Sequence, residues 1–171
     1  EWYIDTEKNK LYYYAPKNPK SGKISISVLQ TPFVSVVGAN NIVFEGIEFS
    51  KTRGNALEAA NTEGLTIKNC KFTNIGVDAV KIIGTKNAVT DRDYWQRQKL
   101  DAAKNCEISD CTFYNIGGHA AIIDGGNVDT LTPGNNVFKN NIVSKCSQKI
   151  RNYEAILVNG CGNSVINNNI S

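Results

Sequence analysis

Hydrophobic and polar positions alternate along this chain in short bursts, and one burst returns five times: IVFEGIEF from Ile42, LTIKNCKF from Leu65, CEISDCTF from Cys106, NVFKNNIV from Asn136 and SVINNNIS from Ser164. A period of two in the side-chain pattern is that of a β-strand. Each burst has a central apolar residue, Phe44, Ile67, Ile108, Phe138 or Ile166, and the first two lie 23 residues apart. Longer intervals between the later copies predict coils that carry inserted loops. Two residues after each centre stands a turn-former, Gly46, Asn69, Asp110, Asn140 or Asn168. Asparagine and aspartate tolerate a left-handed backbone. Stacked coil on coil, these residues are expected to form an amide ladder up one corner of a solenoid.

A second strand follows each turn: NALEAA from Asn55, DAVKIIG from Asp78, HAAIIDG from His119 and EAILVNG from Glu154. Aligning Ala56, Ala79, Ala120 and Ala155 also aligns Gly84, Gly125 and Gly160. Alternation then sends Leu57, Val80, Ala121 and Ile156 inward. Glu58, Lys81, Ile122 and Leu157 face outward, followed by Ala60, Ile83, Asp124 and Asn159. An antiparallel sandwich also has short strands and Gly/Asn turns. Only a solenoid requires one residue type to recur at one offset, because equivalent positions stack about 4.8 Å apart. The predicted class is all-β: a parallel β-helix over 31–171, a short N-terminal β-hairpin and lead-in over 1–30, and one helical loop insertion over 85–105. In that insertion Thr90 and Asp93 read as a capping box, and Tyr94 to Ala103 contains good helix formers.

With 41% hydrophobic and 20% charged residues, the composition is that of a folded domain. Nineteen basic residues are interspersed with sixteen acidic ones, leaving a net charge of +3 and no basic run. Nucleic acid is therefore not an expected partner. No apolar stretch reaches the roughly 20 residues of a membrane span, so no membrane partner is expected either. The absence of methionine suggests a processed or excised segment. Cys70, Cys106, Cys111, Cys146 and Cys161 form an odd set without a C-x-x-C pair, and His119 is the single histidine. That inventory predicts buried free thiols, with no metal site and no cofactor.

The stretch from Ile116 to Ser171 resembles the β-helix region of the pectin-lyase-like superfamily, and is closest to bacterial right-handed β-helix proteins that include glycoside hydrolases. The opening EWYIDTEKNKLYYYAP resembles the hairpin that precedes the coils in those proteins, G-E-W-Y-x-D with a later L-Y-Y. This resemblance implies a right-handed coil, a secreted or cell-surface location, and a polysaccharide or oligosaccharide lying along the outward face of the alanine-column strands. Such proteins usually continue for more coils. The uncapped end from Glu154 to Ser171 is accordingly expected to self-associate or be covered.

Glycoside hydrolysis uses two carboxyl groups about 5 to 9.5 Å apart. Candidate catalytic residues are Asp124 and Glu58 on the outward face, and Asp78 and His119 at the mouth of the same strands. Glu58 opposite Lys81 reads first as a solvated charge pair, and the Asn55, Asp78, His119 and Glu154 column first as a corner that bonds turn backbones, with catalysis the second reading of each. Lys81, Asn159 and, on the insertion, Tyr94, Trp95 and Arg97 are candidate substrate-binding residues, since aromatic faces suit the C–H face of a pyranose. Trp95 would serve equally to pin the insertion to the coils. Asn127 stands where the resembling proteins often have aspartate, and an asparagine cannot act as a general acid. The loop Asp124 to Asp129 reads as turn chemistry as readily as a cation loop. Lyase chemistry needs a base and a cation beside a uronate, and no basic cluster accompanies Lys81. A polysaccharide-degrading hydrolase leads, with a non-catalytic carbohydrate-binding or adhesive β-helix as the alternative and a lyase third.

Overall fold

The computed structural model describes residues 2–15, 18, 22, 24–84 and 103–171. Among these, all regular structure is β. A hairpin of β1 (Trp2–Asp5) and β2 (Lys10–Tyr13) precedes three five-stranded parallel sheets. The first sheet holds β3 (Val34–Val37), β6 (Leu57–Ala60), β9 (Val80–Ile83), β12 (Ala121–Gly125) and β15 (Ile156–Gly160). The second holds β4 (Val43–Glu45), β7 (Thr66–Lys68), β10 (Glu107–Ser109), β13 (Val137–Lys139) and β16 (Ser164–Ile166). The third holds β5 (Glu48–Thr52), β8 (Lys71–Ile75), β11 (Thr112–Ile116), β14 (Ile142–Ser144) and β17 (Asn169–Ile170). Each coil places one strand in each sheet, so every strand pairs with its counterparts one coil away.

The register follows the alanine and glycine columns. Leu57 pairs with Val80, Val80 with Ala121, Ala121 with Ile156, and Gly125 with Gly160. All four apolar residues of the first set lie in or against the core that the three sheets enclose. Along the third sheet, Phe49, Phe72 and Phe113 stack with ring centroids 4.9 Å apart at each step. Phe138 of the second sheet meets Phe113 at 5.7 Å. Phe72, Phe113 and Phe138 are completely buried. Truncating such a ring to alanine costs about 3–5 kcal/mol.

Corners are sharp because single residues there take the left-handed conformation. One column is Gly46, Asn69, Asp110, Asn140 and Asn167, with φ of 67°, 53°, 55°, 57° and 53°. Here the structure corrects the last repeat. Val165, not Ile166, pairs with Phe138, so Asn167 is the turn residue and Asn168 follows it. The run Asn167–Asn168–Asn169 offers the same side chain at three successive offsets, and the stacking of the preceding coil selects among them. The ladder is also displaced by one residue from the turn-formers. Asn141 Oδ1 accepts the Cys111 backbone N–H at 2.9 Å, and Asn168 Oδ1 accepts that of Asn141 at 2.8 Å. Cys111 Sγ takes the same part toward the Cys70 N–H at 3.4 Å. At a second corner Asn136 Oδ1 accepts from Cys106 N–H at 2.9 Å, and Asn163 Oδ1 accepts from Asn136 Nδ2 at 2.9 Å. Inward-turned amides suit these positions because they meet backbone groups that the bend frees from the sheet.

All five cysteines are free thiols, with Cys70, Cys106 and Cys111 buried. Burial raises the Cys106 thiol pKa, and pushes Cys111 up to about 12 and Cys146 up to about 11. Of the insertion expected over 85–105, positions 85–102 lie outside the described residues. Ala103 is in the core and Lys104 already bridges Glu63 in the coil.

Candidate functional site

The outward face of the first sheet carries Glu58, Lys81 and Ile122 in one register row, and Ala60 and Ile83, then Asp124 and Asn159, in the next. Glu58 and Lys81 are half-buried. In register opposite Lys81, the Glu58 carboxylate accepts a hydrogen bond from Asn55 Nδ2 at 2.5 Å. The second row differs from the open groove the alternation predicts. Asp124 is only 1% exposed and Asn159 5%, beside buried Ala60 and Ile83. Asn159 Nδ2 donates to Asp124 Oδ1 at 2.5 Å. Outward parity sets where a side chain points, and this row is covered nonetheless. Two strands and two residues separate Glu58 from Asp124, roughly 12 Å between their Cα atoms at ordinary strand spacings. The structure therefore does not bring that pair together. Asn127 closes a turn: its Oδ1 accepts the backbone N–H of Asp129 at 2.9 Å and of Thr130 at 3.2 Å. Tyr94, Trp95 and Arg97 lie outside the described residues.

The structure does assemble the column at the entrance of these strands. Asn55 Oδ1 accepts the Asp78 N–H at 2.8 Å, and Asp78 Oδ1 accepts the His119 N–H at 2.9 Å. That aspartate oxygen also lies 2.9 Å from His119 Nδ1, while His119 Nε2 is 3.6 Å from Glu154 Oε2. Asp78 and His119 are buried, whereas the Glu154 side chain is 67% exposed. The Asp78 contact holds the proton on Nδ1 and turns Nε2 outward, the orienting relation that prepares an imidazole for proton transfer. Tyr153 stacks on the ring, centroids 4.4 Å apart and planes 25° from parallel. Gly118 leaves the room: a Cβ there would lie 2.6 Å from Asp78 Oδ1 and 3.4 Å from Tyr153 Cδ2.

This corner bonds turn backbones, as the sequence column suggests, and something further distinguishes it. The two inward ladders described above consist of cysteine and asparagine, whereas Asp78, His119 and Glu154 put two carboxylates and an imidazole on three successive coils. Glu154 belongs to the column by alignment with Asn55, Asp78 and His119. Tyr153 carries no periodic signal, being in the loop that leads into β15. Among the described residues, no group of histidine, cysteine, aspartate and glutamate side chains is arranged to hold a metal ion. No helix among them is long and apolar enough to cross a membrane.

Residues 30–171 match the family model described as the right handed beta helix region. The chain belongs to the right-handed β-helix family. No curated protein and no solved structure matches it. Membership fixes the hand of the coil and is compatible with carbohydrate-active proteins, but one β-helix can host unrelated activities. Among the described residues, the Asp78–His119–Glu154 corner and the Glu58–Lys81 row are two places where ionisable side chains meet along the first sheet.

Proposed function

We propose that this β-helix is a carbohydrate-active protein, acting at or outside the cell surface, that holds a linear saccharide against the first sheet and its Asp78–His119–Glu154 corner. The observation that carries the reading is the buried Asp78–His119 pair aimed at Glu154, where the inward ladders of the other two corners hold asparagine and cysteine. A ladder that only closes a bend is served by asparagine or cysteine, as in the inward ladders of the other two corners. A buried carboxylate orienting an imidazole toward an exposed carboxylate adds a path for a proton. Solenoid faces are long and shallow, which suits a linear polymer.

In the hydrolytic form of this reading, Glu154 in its acid form gives its proton to the departing glycosidic oxygen as the C–O bond breaks and water adds to the anomeric carbon. Nε2 of His119, held by Asp78 through Nδ1, takes the proton that water sheds and returns it to Glu154. Carbohydrate binding without cleavage is the second reading. It is favoured by the placement of Glu58 and Asp124, each engaged by an asparagine and too far apart for a two-carboxylate hydrolase. Incubation of the chain with a panel of neutral and uronate polysaccharides separates the two. Release of reducing ends that Glu154→Gln abolishes, with binding retained, supports hydrolysis. Binding without release supports the second reading, and no retention of any polysaccharide refutes both.

A further inference from the structure

The hairpin forms a sheet of its own, with Trp2 paired to Tyr13 and Tyr3 to Tyr12. At its open end Trp2, Tyr3, Tyr12, Tyr13 and Tyr14 line one concavity. All five are exposed, Tyr14 to 79% and Trp2 to 69%. The Tyr3 and Tyr12 rings lie 6.3 Å apart with planes 26° from parallel. Charge gathers at the opposite, turn end, where Asp5 pairs with Lys8 at 3.4 Å and stands across from Lys10. Among the described residues its lining carries no charged side chain, and each lining side chain joins a flat apolar face to one polar atom, a phenol hydroxyl or an indole N–H.

That combination selects among occupants. An aliphatic protein surface would cover the rings and leave five polar atoms to be satisfied, each costly when buried without a partner. A uronate or phosphate would find no cation among the described lining residues. A pyranose without charge presents an apolar C–H face to a ring and a rim of hydroxyls to phenol and indole groups. We infer that the hairpin concavity is a subsite for a neutral saccharide, separate from the ionisable corner on the coils. The inference rests on the carbohydrate reading and adds to it the charge class of the ligand and a second place of contact.

Calorimetric titration of the whole chain with cellohexaose, xylohexaose and mannohexaose, with hexagalacturonate as the charged comparison, tests it. Trp2→Ala and Tyr12→Ala should each weaken binding of a neutral hexasaccharide by about tenfold, and Tyr12→Phe, which keeps the ring, by less. Far-UV circular dichroism should be unchanged in these variants, because the hairpin is not part of the coil sheets. Binding that ignores the hairpin variants but is lost in Lys81→Ala or His119→Ala overturns the hairpin subsite and leaves the coil-face reading standing. Binding of hexagalacturonate alone overturns the neutral specificity. Failure of all four sugars overturns the subsite, and retention of a longer polysaccharide by the chain would then show that the broader reading survives. A concentration-dependent dimer abolished by Trp2→Ala would show that a second copy occupies the concavity, and would also overturn the proposal.

Discussion

Asp78 Oδ1 receives two groups of His119, the backbone N–H at 2.9 Å and ring Nδ1 at 2.9 Å, so one buried oxygen fixes both the bend and the orientation of the imidazole. Structural and chemical roles at this corner therefore separate only if the substitution preserves an acceptor.

Asp78→Ala leaves two buried donors of His119 without their acceptor and should destabilise the protein by about 2–3 kcal/mol. Asp78→Asn retains a carbonyl oxygen for the backbone N–H and should cost less. Urea denaturation of the two variants, followed by far-UV circular dichroism, measures the difference. Equal losses would mean that the carboxylate charge, rather than an acceptor, holds the corner.

Cys111 occupies the column that Asn141 and Asn168 fill in the next two coils, and its sulfur is a weak acceptor for Cys70 N–H. Cys111→Asn should supply an amide oxygen in its place and raise stability by about 1 kcal/mol. Asn141→Ala should do the opposite, exposing the Cys111 N–H to an apolar interior at a cost of about 1–3 kcal/mol. Thermal unfolding of both variants reads the two signs.

Phe113 stacks on Phe72 on one side and meets Phe138 on the other. Phe113→Ala should cost about 3–5 kcal/mol, and Phe113→Leu appreciably less because most of the volume stays filled. Chemical denaturation measures both. A loss under about 1 kcal/mol for the alanine variant would mean that the coils close over the gap.

Burial holds the Cys111 thiol pKa at about 12 against an ordinary 9.0. The folded state therefore keeps a proton that the unfolded state releases, and stability falls as pH rises from about 9 toward 12. Below that window both states are protonated and this group makes no pH-dependent difference. Unfolding curves between pH 8 and 11 should show the decline, reduced in Cys111→Asn. At pH 8 a thiol reagent should label Cys111 slowly in native protein and promptly in urea.

Register was legible where two kinds of residue mark one column, as Ala120 and Gly125 do with Ala155 and Gly160. It was ambiguous where one residue type repeats, and at Asn167–Asn168–Asn169 the spacing alone placed the turn one residue late. The aligned bursts put Cys70, Cys111 and Asn141 at one position, but a column that changes from cysteine to asparagine does not look like a ladder, and the amide ladder expected on the turn-formers sits one residue beyond them. Parity correctly sent Asp124 and Asn159 outward, yet alternation says nothing about what lies over an outward row, and both are buried. The contact of Tyr153 with His119 joins a loop to a strand entrance on another coil, a relation with no periodic signature.

In-register pairing of Leu57 with Val80 makes one coil an excisable cassette. Deleting 57–79 would join Ala56 to Val80, let β3 pair with β9, and set Phe49 directly on Phe113. At the corner Asn55 would move beneath His119 in place of Asp78, offering an amide oxygen to the same backbone N–H. Such a shortened chain would keep the architecture and lose its one buried carboxylate at the histidine, separating by a single splice the part of the molecule that folds from the part that could move a proton.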